Sequence, residues 1–144
     1  MSIFYSLIAR NNDTILCEAD VSSGNYPQVT LKVLRSNKMS PGFKTFASAD
    51  YVFYILNEPP YSILCLTESD FSKVKALTFL KELKDSFMQK FSHSERESAI
   101  AYSFNSKFES YMKDRMSYFN EASESDSRIQ NVVSQMRDVE NLVQ

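Results

Sequence analysis

Tyr51-Val52-Phe53-Tyr54-Ile55-Leu56-Asn57-Glu58-Pro59-Pro60-Tyr61-Ser62-Ile63-Leu64-Cys65-Leu66-Thr67 holds two apolar runs separated by a polar, proline-containing turn. Aromatic and β-branched residues crowd both runs, which suits strands better than helix. Asn57-Glu58-Pro59-Pro60 has the length and composition of a hairpin connection, so strands are expected at 51–56 and 61–67. Central strands that are apolar on both faces need cover on both sides, and the flanking sequence must supply it.

Upstream, 43–48 reads as a short strand joined through Ala49-Asp50. Residues 3–9 are almost continuously apolar, and after Arg10-Asn11-Asn12-Asp13 a second run at 14–19 sets Ile15, Cys17 and Ala19 on one face. The first of these is expected to be central, and the second, with Glu18 and Asp20 outward, nearer an edge. Between the two pairs, Ser22-Ser23-Gly24-Asn25-Tyr26-Pro27-Gln28 looks like a turn feeding a helix. Asn25 would be its N-cap, Pro27 would lie in its first turn, and Gln28 could complete a capping box. That helix carries Val29, Leu31, Val33 and Leu34 and should end before Pro41-Gly42.

Downstream of Ser69-Asp70 the period changes. Phe71, Val74, Leu77, Leu80, Leu83 or Lys84, Phe87 and Phe91 recur three or four apart, the stripe of a long amphipathic helix. Ser94 and Glu97 have the spacing of a capping box for a further helix, with Ile100, Phe104, Phe108, Tyr111 or Met112, and Phe119 on its buried side. The expected order is β-β-α-β-β-β-α-α, an α+β domain with one helix on one face of a five-stranded sheet and two on the other.

Residues 120–127 contain no apolar side chain larger than alanine and read as an acidic linker. Beyond them, at 128–144, Ile129, Val132, Met136, Val139 and Val143 recur at three, four, three and four residues, the seam of a coiled coil. A short seam with no partner has nothing to bury its methyl groups against. The segment is therefore expected either to associate with other helices or to pack within the molecule. The organisation read here is one domain over 1–119, a linker over 120–127 and part of an association helix over 128–144.

The totals narrow the function. With 16 basic and 18 acidic residues the net charge is −2, too weak a field to draw the chain to nucleic acid. Cys17 and Cys65 each sit inside an apolar strand-like run and read as buried reduced thiols of a cytosolic protein, although pairing stays open at this level. The N-terminus reaches Arg10 too soon for a secretory signal, and no run approaches the roughly 20 apolar residues of a membrane span. This chain is thus expected to be soluble, with any membrane anchor lying beyond it. Catalysis finds little support. His93 is the only histidine and falls in an interhelical loop, two glycines make no phosphate-cradling loop, and no Cys, His, Asp and Glu cluster has metal-ligand spacing. No cofactor is expected.

Leu7-Ile8-Ala9-Arg10, Ser23-Gly24-Asn25-Tyr26, Tyr51-Val52-Phe53-Tyr54 and Phe79-Leu80-Lys81-Glu82-Leu83-Lys84, followed by an aromatic-rich last helix, together resemble the longin domain of the longin-type R-SNAREs, the synaptobrevin-like vesicle-associated membrane proteins. The resemblance covers essentially the whole chain, and 128–144 looks like the opening of an R-SNARE motif. It implies a profilin-like fold with a mostly antiparallel sheet. It also implies a protein on the cytoplasmic face of endomembranes or vesicles that acts in vesicle-mediated transport and membrane fusion and is anchored by a segment absent from this chain.

In that family Ile129, Val132, Met136, Val139 and Val143 would be layer positions against three Q-SNARE helices. An apolar groove between the first helix and the third strand would receive the chain's own SNARE segment, or a coat adaptor or other trafficking regulator. Carried onto this sequence, the groove would be built from Leu31, Leu34, Phe43 and Phe46, residues that read equally well as plain core. Lys44 stands where related domains often have an apolar residue. A longin-like subunit of a tethering or coat complex, without fusion activity, is the other reading.

Overall fold

The computed structural model describes residues 2–21, 26–123 and 140–143. Its element order is β1 (Ile3–Arg10), β2 (Thr14–Asp20), α1 (Tyr26–Ser36), β3 (Gly42–Ser48), β4 (Tyr51–Glu58), β5 (Tyr61–Glu68), α2 (Lys73–Lys90), α3 (His93–Ser98), α4 (Asn105–Glu121) and β6 (Glu140–Val143). Asn11 and Asn12, with φ of 57° and 59°, turn β1 into β2 through consecutive left-handed residues that Asn tolerates.

One sheet runs β2-β1-β5-β4-β3-β6, with every pair antiparallel except β3 and β6. The expected placement of the first two strands holds, β1 lying inside the sheet and β2 at its edge. Strand alternation sorts the side chains onto two faces. Leu7, Phe53, Ile55 and Leu64 pack with Val33 and Leu34 of α1 on one face. On the other, Ile8, Cys17, Ile63 and Cys65 pack with Leu80 and Phe87 of α2 and with Phe108, Met112, Met116 and Phe119 of α4. The sandwich of one helix against two is therefore as expected. Both cysteines are buried as free thiols.

The last helical region departs from the expectation. The helix there begins at Ser92, whose side chain accepts from the Glu95 amide while Glu95 caps back onto the Ser92 amide, so the capping box is Ser92 with Glu95 and not Ser94 with Glu97. Phe91 stacks on Phe104 with ring centroids 3.9 Å apart, which holds the chain at Phe91 and starts α3 directly after it. Nor is there one continuous helix. After α3 the chain opens, Tyr102 takes a φ of 62°, and the amides of Tyr102 and Phe104 donate to Ile15 O and Leu16 O at 2.7 and 3.1 Å. Ile100, expected on a buried helix face, lies in this opened stretch and is 75% exposed.

Helix α4 runs past Phe119. Asn120 and Glu121 belong to α4, and Asn120 Oδ1 accepts from the Ile3 amide at 2.7 Å, tying the helix to the start of β1. Among the described residues no helix is long and apolar enough to cross a membrane.

Candidate functional site

A sheet with two edges presents two rows of backbone groups that want partners. At the β2 edge the 99–105 connection supplies them, through Tyr102 and Phe104 as above and through Asn105 Oδ1, which accepts from the Glu18 amide at 2.9 Å. The β3 edge is covered differently. There β6 pairs in parallel, with Lys44 opposite Glu140, Thr45 opposite Asn141, Phe46 opposite Leu142 and Ala47 opposite Val143. The described part of the C-terminal stretch, 140–143, is thus a strand that includes Val143. A free sheet edge offers backbone hydrogen bonds to any extended segment regardless of its heptad pattern, and that is the physical reason. Ile129, Val132, Met136 and Val139 lie outside the described residues.

Of the four residues expected to line a groove, three come together. Leu34 is fully buried against Phe53 and Ile55, and Leu31 and Phe46 pack partly buried on that same cluster. Phe46 meets Phe53 edge-on, with centroids 6.1 Å apart. Phe43 is not with them. It stands an odd number of residues from Phe46 and so projects from the opposite face, where it packs on the α2 and α4 core. Grouping by strand alone missed this parity.

Two features of this region were not read from the sequence. At the start of α1, Tyr26, Val29, Ser48, Tyr51, Phe53 and Leu66 line a cleft of about 200 Å³, with Val29 46% and Tyr51 42% exposed. Phe4 braces it, stacking on Tyr26 at 6.1 Å and meeting Tyr51 edge-on at 5.7 Å. Because β6 runs from Lys44 toward Ala47, it heads for the end of β3 at which this cleft opens. The second feature is the burial of Lys44, which is only 2% exposed and shares the α1 face with Phe46 by strand parity.

A larger cleft of about 580 Å³ lies elsewhere, lined among others by Glu58, Tyr61, Lys84, His93, Arg96 and Glu97. Its polar groups engage one another. Lys84 pairs with Glu58 at 3.5 Å, Tyr61 donates to Glu97, and the Arg96 guanidinium donates to the carbonyls of Met88 and Phe91. Burial and the Glu97 carboxylate raise the Tyr61 hydroxyl above its ordinary range. Among the described residues no group of three or more His, Cys, Asp and Glu could hold a metal ion. The β3 edge with its α1 rim is the better candidate, because it combines backbone groups that pair an extended segment, apolar surface beside them and a segment already seated.

Comparison with known proteins agrees with this architecture. A family model described as "Longin: Regulated-SNARE-like domain" matches residues 16–112. The chain is 29% identical over 126 residues to vesicle-associated membrane protein 7 of Gallus gallus, with 88% of this chain and 56% of that protein covered. It is 28% identical over 121 residues to the Homo sapiens protein of the same name, covering 84% and 54%. It is 27% identical over 143 residues to vesicle-associated membrane protein 724 of Arabidopsis thaliana, covering 99% and 64%. The chain therefore spans between 54% and 64% of the length of these relatives. With an α+β sandwich of this order and a family match over most of its length, the chain belongs to the longin family of regulated-SNARE-like domains.

Proposed function

We propose that this chain is the regulatory domain of a longin-type R-SNARE, a binding domain and not an enzyme, which controls when its own SNARE segment can join Q-SNARE helices. The parent protein would act at the cytoplasmic face of vesicles or endomembranes, anchored by a segment outside this chain. The observation that carries the reading is the parallel pairing of Glu140–Val143 with β3. A segment held as a strand on a sheet edge cannot simultaneously be a helix in a four-helix bundle, and Val143 would have to leave β3 to serve as a bundle layer. The same holds for Ile129, Val132, Met136 and Val139 to the extent that their helix must be continuous with it.

Control then follows from competition. The edge of β3, rimmed by the partly buried Leu31 and Phe46 over the core residue Leu34, accepts one extended segment at a time. A sorting partner or coat adaptor that takes it displaces the SNARE segment, and the equilibrium shifts only by the difference in affinity between the two occupants. The test is Phe46→Ser in the parent protein. Phe46 is half-buried at the rim, so the fold should survive, while the seat for 140–143 is weakened. Faster assembly with Q-SNARE helices is expected, and an unchanged rate in a folded variant would defeat the reading.

A further inference from the structure

We propose that Lys44 makes the β3 edge selective for charge, seating an extended segment that carries an acidic residue two positions before an apolar one, which here is Glu140-Asn141-Leu142 of this chain. The inference rests on the fold-back reading above and adds to it what the edge recognises.

Lys44 is 2% exposed, and lysine is almost never so buried unless its ammonium meets a compensating charge or strong acceptors. The surroundings limit where a carboxylate could come from. On β4 the register partner of Lys44 is Ile55, fully buried and apolar, and along β3 the next residue on the same face is Phe46. The helix over that face, α1, reads YPQVTLKVLRS and contains no acidic residue. The remaining neighbour in the sheet is β6, and its residue in register with Lys44 is Glu140. Parallel partners in register share a face, so Glu140 and Leu142 fall on the α1 side with Lys44 and Phe46. A segment with a basic residue at that register position would add a like charge beside the buried ammonium, whereas an acidic residue there would compensate it.

The experiment is amide hydrogen exchange on the 144-residue chain, read at the β3 amides that do not bond β4. Protection of these amides in the unaltered chain tests the fold-back itself. If they exchange like loop amides, that reading fails before charge is considered. Given protection, Glu140→Lys and Lys44→Glu should each accelerate exchange about tenfold, and the double swap should return it to within about threefold of the starting value. A double swap no better than the single changes, or no effect of Glu140→Lys, overturns the proposal, as does Asp138→Asn reproducing the effect of Glu140→Gln. Amides of β1 and β5 report whether each variant is folded. Should Lys44→Glu lose that core protection, Lys44→Met keeps the test decisive. Glu140→Gln must then alter exchange beside lysine and leave it unaltered in the Lys44→Met background.

Discussion

Asn37→Ala is expected to cost this domain more than most single changes, through a polar knot beneath the α1 to β3 connection. Asn37 is 7%, Asn57 1% and Ser62 0% exposed. Asn37 Nδ2 lies 2.9 Å from Asn12 Oδ1, 2.9 Å from Asn57 Oδ1 and 3.2 Å from Ser62 Oγ. Its Oδ1 accepts from Asn57 Nδ2 at 3.2 Å. Truncation leaves Ser62 with one hydroxyl proton for two carbonyl acceptors, Asn57 Oδ1 at 2.8 Å and Asn12 Oδ1 at 3.1 Å, so one of them loses its donor. One Nδ2 proton of Asn57 loses its acceptor too, while the other still reaches Lys38 O at 3.0 Å.

Two polar groups are thus orphaned, at about 1–3 kcal/mol each when water is kept out. Asn12 is only half-buried, so water can reach part of the knot and the sum belongs at the lower end, about 2–4 kcal/mol. With a urea slope of about 1.5 kcal/mol per molar, the midpoint should fall by about 1.5–2.5 M with an unchanged slope. Equilibrium urea unfolding followed by far-ultraviolet circular dichroism measures this. A fall under about 0.3 M would refute the reasoning, and so would an Asn37→Ala, Asn57→Ala pair whose losses simply add, since members of one network must couple by about 0.5 kcal/mol or more.

Ser92→Ala should destabilise the domain by about 1 kcal/mol through loss of the α3 cap, and Ser94→Ala by much less, which urea unfolding of the two variants distinguishes. The Tyr54 hydroxyl is pushed up to about 12, first by burial and then by Cys65, so the folded state keeps a proton that the unfolded chain releases near pH 10. Its contribution to stability is whole below pH 10 and is lost as pH rises toward 12; Tyr54→Phe should flatten that part of the stability curve. Burial likewise drives the Cys17 and Cys65 thiols far up, so a thiol reagent at pH 8 should label neither in the native chain and both in urea.

Much of the architecture is legible without coordinates. The α2 stripe from Phe71 through Leu77, Leu80, Leu83 and Phe87 to Phe91 is buried as its period requires, with Val74 partly so. The doubly apolar β1, β4 and β5 occupy the interior of the sheet for the reason given by their composition. The capping box was ambiguous because Ser92 and Ser94 each have a glutamate three residues on, at Glu95 and Glu97. Only the stack of Phe91 on Phe104, a contact across 13 positions of chain, selects between them. The break at Ile100 is likewise set from outside the helix, because β2 offers the carbonyls of Ile15 and Leu16 at its edge.

The candidate site divides along the same line. Side-chain periodicity by itself determined the layers of the domain, since burial of apolar faces is a local pattern repeated every two or every three to four residues. It also held the parity that separates Phe43 from Phe46. What only the tertiary structure decided is how the C-terminal segment is used. Four residues such as Glu140–Val143 fit a heptad and a strand equally well, and the choice depends on backbone donors and acceptors left open along β3, nearly a hundred residues earlier in the chain. A sheet edge exists only once the sheet has formed, so its hydrogen-bonding capacity has no signature in the local sequence of the segment it holds.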